Sequence, residues 1–400
     1  MSEREQTQVM VSGAGPVGSV MALALARQGF NVVLCEKHGE RAQDLRASTF
    51  HPPTLEILDD LGVIEPLLEY GLKAPIYHFR ERKSGEVVPF DFGELEDATR
   101  FPFRLQCEQH VMANVVEDAL RKMPNVQMLY NHSVVCFDRK DDGVDVDVEA
   151  PHAMRHFSCD YLIAADGGNS IVRKWLDVKF EGFTYPEKFV CLSTEIDLSE
   201  HLPNLANVNY VADEEEWLVL LRAPSAWRVL VPVSDELENA TLLDDPFKER
   251  VFRDLIGIPE VETKHRTVYR VHQRVAESFN FGRVFLIGDA AHLNNPLGGF
   301  GMNSGIHDAW NLSQKVIESY ASGHDDELFK LFDKQRRSVT HDFIQAQTIE
   351  NKRFLEHNPS QKHDMKLREM KKTASDDTLR REFLLRQSMI QSVASEQAFV

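Results

Sequence analysis

Apolar residues recur along the chain in three rhythms. Near the start, Val9-Met10-Val11 is a short unbroken apolar run, which fits a strand buried on both faces. Apolar positions resume after Pro16 and continue to Ala26, with Gly29 just beyond them, so the spacing predicts a helix over Pro16 to Gln28 with a glycine stop. Asn31 to Cys35 then reads as a second strand, which makes the opening a β-α-β unit. The uncharged stretch from Val9 to Ala26 also raises a signal peptide or membrane anchor. Glycines and a proline interrupt it, however, and its leader mixes Glu3 and Glu5 with Arg4, so strand, turn and buried helix is the better reading.

Residues 72–103 and 186–275 follow a second rhythm, richer in strand patterns such as Trp217-Leu218-Val219-Leu220-Leu221 and Trp227-Arg228-Val229-Leu230-Val231-Pro232. Beyond residue 345 the third rhythm is helical. Leu379, Phe383, Leu384 and Met389 are scattered among charges of both signs, which fits a solvated helix that lays one stripe on its own protein or on a twin subunit in a homodimer. The acidic run Asp213 to Glu216 reads as a hairpin tip. These patterns predict a mixed α/β and α+β chain in which a sheet domain (72–103 and 186–275) is inserted into a discontinuous α/β domain (1–71, 104–185 and 276–345), followed by a helical segment (346–400).

Composition narrows the partners. A chain of 400 residues, 42% of them hydrophobic, can bury a large core, and two intertwined domains are expected. Its 45 basic against 63 acidic residues give a net charge of −18, which disfavours nucleic acid and anionic membrane and favours a small molecule. Cys35, Cys107, Cys136, Cys159 and Cys191 are scattered, with no C-x-x-C, so neither a disulfide framework nor a metal site is suggested and a reducing, cytoplasmic setting is expected.

Three glycine-centred segments carry the chemistry. The first is Gly13-Ala14-Gly15-Pro16-Val17-Gly18: Gly13 allows a tight turn, Gly15 lets backbone approach a pyrophosphate, and Gly18 lets helix and strand pack closely. Glu36, followed by Lys37, ends the second strand where a carboxylate can hold an adenosine ribose. In the second, Asp166-Gly167-Gly168 closes the apolar run Tyr161 to Ala165, Ser170 can cap a helix starting at Ile171, and Arg173 can reach back to Asp166 or a phosphate. The third runs from Gly288-Asp289-Ala290-Ala291-His292 through Pro296-Leu297-Gly298-Gly299-Phe300-Gly301-Met302-Asn303, a glycine-rich loop before a helix from about Asn303. Asp289 suits ribityl hydroxyls, the helix N-terminus suits negative charge on a reduced ring, and His292 is expected to be a structural hydrogen bonder.

The order of these motifs, with Asp308-Ala309-Trp310-Asn311-Leu312 after the third, resembles the single-component FAD-dependent aromatic hydroxylases of the para-hydroxybenzoate and phenol hydroxylase type. That resemblance implies a Rossmann-like FAD-binding domain with an inserted mixed β-sheet substrate domain. It also implies FAD as cofactor, NADH or NADPH as a transient reductant, and OH transfer from a flavin C4a-hydroperoxide, formed from O2, to an electron-rich ring. By the same resemblance Arg46 and Gln109 contact the cofactor, Pro296 lines the hydroxylation site, Tyr210 contacts a phenol, and Arg222 pairs with a substrate carboxylate, making the small aromatic substrate an acid. His51 is a candidate acceptor of the phenolic proton. A dehydrogenase or reductase on the same fold, and a non-catalytic FAD-containing binding protein, stay open. The absence of a Trp-x-Trp-x-Ile-Pro segment disfavours a halogenase.

Overall fold

The computed structural model describes residues 4–40, 47–213, 216–323, 325–356 and 363–399. The opening unit forms as the spacing predicts: strand Glu5–Ser12, helix Pro16–Arg27 and strand Val32–Glu36, the helix burying every residue from Gly18 to Ala26. These elements belong to a seven-stranded sheet whose parallel centre runs Val126–Tyr130, Val32–Glu36, Glu5–Ser12 and Met154–Ala164. The last of these strands is long enough to serve two neighbours. Its first half pairs antiparallel with Val144–Glu149, and its end pairs parallel with Val284–Leu286. The three glycine motifs therefore follow adjacent strands and open at the same sheet edge, the carboxyl end, where ligands of such sheets bind.

A second sheet of eight strands holds the inserted segments, in the order His292–Leu293, His265–Ala276, Phe180–Thr194, Ala226–Ser234, Leu218–Ala223, Val208–Ala212, Ile76–Glu81 and Val87–Asp91. Both of its faces are covered. Leu218, Leu220, Trp227, Val229 and Val231 pack under Val251 and Phe252 of the helix Asp245–Ile256. Tyr77, Phe90, Val219, Leu230 and Phe189 line the other face, where Met370, Phe383 and Leu384 of the C-terminal helices close over them. The charged tail thus lays its apolar stripe on its own chain.

Three details differ from the sequence pattern. The strand Phe180–Thr194 begins before residue 186, because Phe180 to Thr184 already pair with His272 to Ala276. Leu72–Ala74 joins a small third sheet with Arg104–Gln106 and Thr49–Phe50 that bridges the two large ones. The last glycine-rich loop hands over to its helix at Phe300, because Gly299, at φ 71°, makes the left-handed turn that starts it. Among the described residues no helix is long and apolar enough to cross a membrane.

Candidate active site

Close backbone approach brings the three motifs together. Gly13 sits at φ 104°, donates its N–H to the Cys35 carbonyl at 2.7 Å, and leaves only 2.4 Å between an added Cβ and the Ala165 carbonyl oxygen. The Val17 side chain fills the space beside two further glycines: a Cβ at Gly288 would meet it at 3.0 Å and one at Gly305 at 2.6 Å. Arg173 joins the second motif to the third. Its guanidinium donates to the Gly168 carbonyl at 2.6 Å and the Ala290 carbonyl at 2.8 Å and lies 3.9 Å from the centre of the Phe180 ring. Arg173 is therefore a structural clamp that makes no hydrogen bond to Asp166, although it feels that residue's charge.

The cradle so formed suits an anionic dinucleotide. Nothing lies within 4 Å of a Cβ built on Gly15 or Gly167, and the helices Pro16–Arg27 and Phe300–Ala321 start with no acidic residue in the first turn and no side-chain cap, leaving N–H groups to face a ligand. Asp289 and Lys37 are exposed, and Gln109 is half-buried at the start of the helix Gln109–Leu120. Glu36 already accepts the Ala14 and His38 N–H groups at 3.0 Å each, so it also braces the first turn. Asp166 takes the Ile171 N–H at 2.8 Å through Oδ2, while its buried Oδ1 has no partner; burial raises its pKa. Ser170 caps that short helix as expected. Arg46 lies outside the described residues.

Asn303 and Asp308 hold the third motif rigid. The Asn303 side chain is fully engaged, accepting the His51 N–H at 3.0 Å and donating to the Thr49 and Gly299 carbonyls at 2.8 and 2.7 Å. It positions the loop and has no donor left for a cofactor. Asp308, fully buried, accepts hydrogen bonds from Gly288 N, His292 Nε2 and Arg336 Nε. His292 is thus a structural hydrogen bonder.

Beside this cradle stands a row of buried polar groups without partners. They are His51 Nδ1, Tyr77 Oη, Arg104 Nε and Nη1, Gln106 Nε2 and Glu108 Oε2. Native interiors seldom leave such groups unpaired, because each costs about 1–3 kcal/mol; a concentration of them marks where a ligand completes the bonding. His51 is fully buried: its Nε2–H donates to the Gly298 carbonyl at 2.8 Å, its ring stacks on Phe300 at 5.2 Å, and Nδ1 is left as a bare acceptor. Arg104 lies between the Tyr77 and Phe92 rings, 4.8 and 4.9 Å from their centres, and donates to the Gln387 carbonyl. Arg104, Gln106 and Glu108 went unnoticed in the sequence, although their alternation with Leu105 and Cys107 is the available signal.

Tyr210 meets Tyr77 edge-on at 6.0 Å and, with Phe90, Phe354 and Phe383, lines an apolar pocket next to Arg104. Pro296 is half-buried, and its carbonyl accepts the Gly299 N–H at 3.0 Å in the loop that carries His51's partner Gly298. Arg222 does not join them. It belongs to the Leu218 and Leu220 side of its strand, which faces away from Tyr210, and rests 5.7 Å from the Trp227 ring centre. Arg228, opposite Leu221, is a buried cation on the Tyr210 side of the sheet, as is Arg104 against the Tyr77 ring.

Two buried histidines make stability depend on pH. Burial, reinforced by Arg104, lowers the His51 pKa well below its ordinary value, and burial with Arg336 lowers that of His307 to about 3. The unfolded chain takes up these protons near pH 6.5 and the folded chain does not, so their contribution is complete above about 6.5 and is lost as the pH falls. Urea unfolding of the FAD-loaded protein is expected to lose about 1.4 kcal/mol per pH unit per histidine between pH 6 and 5. His307→Gln should roughly halve that slope; an unchanged slope would remove His307 as a cause.

Comparison with known proteins agrees with this geometry. Residues 6–347 match the family model of the FAD binding domain. The chain is 31% identical over 388 residues to para-nitrophenol 4-monooxygenase of Pseudomonas sp. strain WBC-3, covering 94% of each chain. It is 31% identical over 359 residues to 6-hydroxy-3-succinoylpyridine 3-monooxygenase of Pseudomonas putida strain DSM 28022/S16, covering 88% of this chain and 89% of the relative. The crystal structure of p-nitrophenol 4-monooxygenase from Pseudomonas putida DLL-E4 superposes with a TM-score of 0.90 at 30% identity, covering 96% of this chain and 99% of the other. A Rossmann-like cradle shared over nearly the whole length with these enzymes places the chain among the FAD-dependent aromatic hydroxylases, a family of flavin monooxygenases.

Proposed function

We propose that the substrate is a phenol-like or heteroaromatic ring bearing an acidic group, and that it is hydroxylated in the pocket between Tyr210, Pro296 and His51 with NADH or NADPH as reductant. The observation that carries this reading is the unpartnered row of His51 Nδ1, Tyr77 Oη, Arg104 and Gln106 Nε2 against an apolar, aromatic wall. Two relatives in the same family are named for hydroxylated or nitrated six-membered rings, which fits a wall of that kind. Bound FAD supplies the redox chemistry, taking electrons from the nicotinamide and passing an oxygen atom of O2 to the ring.

The chain's own residues have three tasks. Arg104, buried and charged, favours the phenolate over the phenol, which makes the ring electron-rich. His51 Nδ1, its tautomer fixed by the Gly298 carbonyl, accepts the hydrogen bond of the neutral phenol as it enters, and because its own pKa is depressed it passes the proton on to water as the phenolate forms beside Arg104. Met370 and Phe383 of the C-terminal helices roof the pocket and keep water out.

Turnover under 18O2 tests the reading. One labelled atom per product, with hydrogen peroxide well below the NAD(P)H consumed, is the expected result. Equal NAD(P)H oxidation under argon with another acceptor and no labelled product would favour the dehydrogenase or reductase instead. His51→Gln is expected to keep FAD and lower kcat by about 100-fold; an unchanged kcat would end the role given to His51.

A further inference from the structure

The C-terminal helices also bring one oriented amide to the ring pocket. The helix Asp377–Gln387 sets Phe383 against the Phe90 and Tyr77 rings at 4.6 and 6.5 Å, and Gln387, one turn further along the same face, lines the same pocket. Gln387 is 3% exposed. Its main-chain carbonyl accepts an Arg104 Nη2–H at 2.9 Å, which fixes the end of the helix beside the row of unpartnered groups.

Which end of the Gln387 amide is bound is decided by a group that can only accept. The Leu297 carbonyl takes the Asn351 Nδ2–H at 3.2 Å, and this fixes Asn351 Oδ1 as the end that faces the glutamines. Oδ1 accepts the Gln387 Nε2–H at 2.8 Å and the Gln347 Nε2–H at 3.0 Å. Turning the Gln387 amide over would set two acceptor oxygens against each other. Nε2 is therefore committed to Asn351, and Oε1 is left as an acceptor to which nothing donates among the described residues.

This oxygen differs in kind from the free atoms of Arg104 and Gln106, which are donors. A phenolate oxygen satisfies those donors and has no hydrogen to give to Oε1. A second group on the ring that carries a hydrogen does. Resting on the function proposed above, we infer that Gln387 is a specificity-determining residue whose Oε1 accepts a hydrogen bond from a second donor on the substrate ring, a hydroxyl or an amino group. A ring that presents only an acceptor there, such as an ether, leaves the buried oxygen unpaired and facing another oxygen, and sites built to bond a donor reject such analogues.

The test uses the FAD-loaded enzyme and the three positional isomers of dihydroxybenzene, each beside the corresponding methoxyphenol. Both substituents donate electrons to the ring, and only the hydroxyl can donate a hydrogen bond. Binding is read from the change in flavin absorbance. In the wild type at least one dihydroxybenzene is expected to bind about 10- to 100-fold more tightly than its methoxyphenol. Gln387→Met, which keeps the length of the side chain and the main-chain carbonyl, should cut that ratio by about 10-fold; any part of it owed to the size of the methyl group would persist. Gln347→Met removes the other donor to Asn351 from outside the pocket and should leave the ratio within about threefold of the wild type.

If no dihydroxybenzene is preferred over its ether in the wild type, the inference fails without recourse to any variant. It also fails if the preference survives in Gln387→Met, or if Gln347→Met abolishes it equally, since the amides would then act only by holding Asn351. A hydroxyl preference with no 18O in the product would count against the hydroxylation reading and leave the role of Gln387 standing. Labelled product from both members of every pair, with no difference in binding, would do the reverse.

Discussion

Asp308→Ala is expected to destabilise the fold by about 3–5 kcal/mol and to yield protein that no longer retains FAD. The carboxylate sits in the middle of the helix Phe300–Ala321, yet its partners come from three places: the Gly288 N–H at 3.0 Å, His292 Nε2 at 2.8 Å and Arg336 Nε at 2.7 Å. Arg336 is itself fully buried and continues to Glu396 at 2.5 Å and to Ser304 at 3.2 Å, so one side chain ties the cofactor turn to the last helix of the chain. Burial alone would push the Asp308 carboxyl up, but His292 and Arg336 outweigh it and hold the pKa below its ordinary value, so the group is ionised at neutral pH.

Removing it strands a buried guanidinium with one acidic partner fewer and frees the Gly288 N–H that fixes the turn before Asp289. Asp308→Asn, which keeps one acceptor, should fall between. Urea unfolding and the ratio of flavin to protein absorbance measure both effects; a loss below 1 kcal/mol with full flavin content would contradict the account. The network also predicts loss in acid. Because the folded pKa is depressed, its contribution is present above the ordinary carboxylate range and disappears as the pH falls through the folded value.

How much of this was legible in the sequence depended on how local the cause was. Gly13, Gly18 and Gly288 could be recognised because a positive φ or a carbonyl within a few ångströms admits no side chain, and that requirement shows at the residue itself. The β-α-β unit was equally readable, since one helix and two strands bury themselves on each other. Arg222 and Arg228 were not separable in the same way. Both interrupt apolar strands, and because the sheet is covered on both faces, alternation gives no inward direction until register places Arg222 opposite Trp227 and Arg228 opposite Ser193. The burial of His51 was hidden for another reason: its bonds to Gly298 and Asn303 cross some 250 residues of sequence. Arg104 lies on a three-residue strand, where alternation with Leu105 and Cys107 shows that Arg104, Gln106 and Glu108 share a face but not what that face meets.

Gly18→Ala should be nearly as damaging as the loss of Asp308, through packing alone. A methyl at this position would stand 1.9 Å from the Gly13 carbonyl oxygen and 3.1 Å from the Ala165 Cβ. Neither neighbour can yield: Gly13 is fixed by its bond to the Cys35 carbonyl and by the Ala165 carbonyl behind it, and Ala165 N–H is bound to the Ser12 carbonyl at 2.8 Å. The helix Pro16–Arg27 would have to move off the central strands, a forced overpacking worth about 1–3 kcal/mol or more, and the first turn would lose the shape that faces the cofactor. FAD affinity is expected to fall by at least about 100-fold in step with stability.

Gly15→Ala separates the two effects, because its added Cβ meets nothing within 4 Å and its φ of −69° suits any residue. The FAD-free protein should keep its urea midpoint to within about 0.5 kcal/mol, while the methyl intrudes where the diphosphate would lie and weakens FAD by about 10-fold or more. Equal FAD affinity in wild type and Gly15→Ala would mean that the first turn faces solvent and not the cofactor. Unchanged stability in Gly18→Ala would mean that strand and helix are farther apart than the geometry places them.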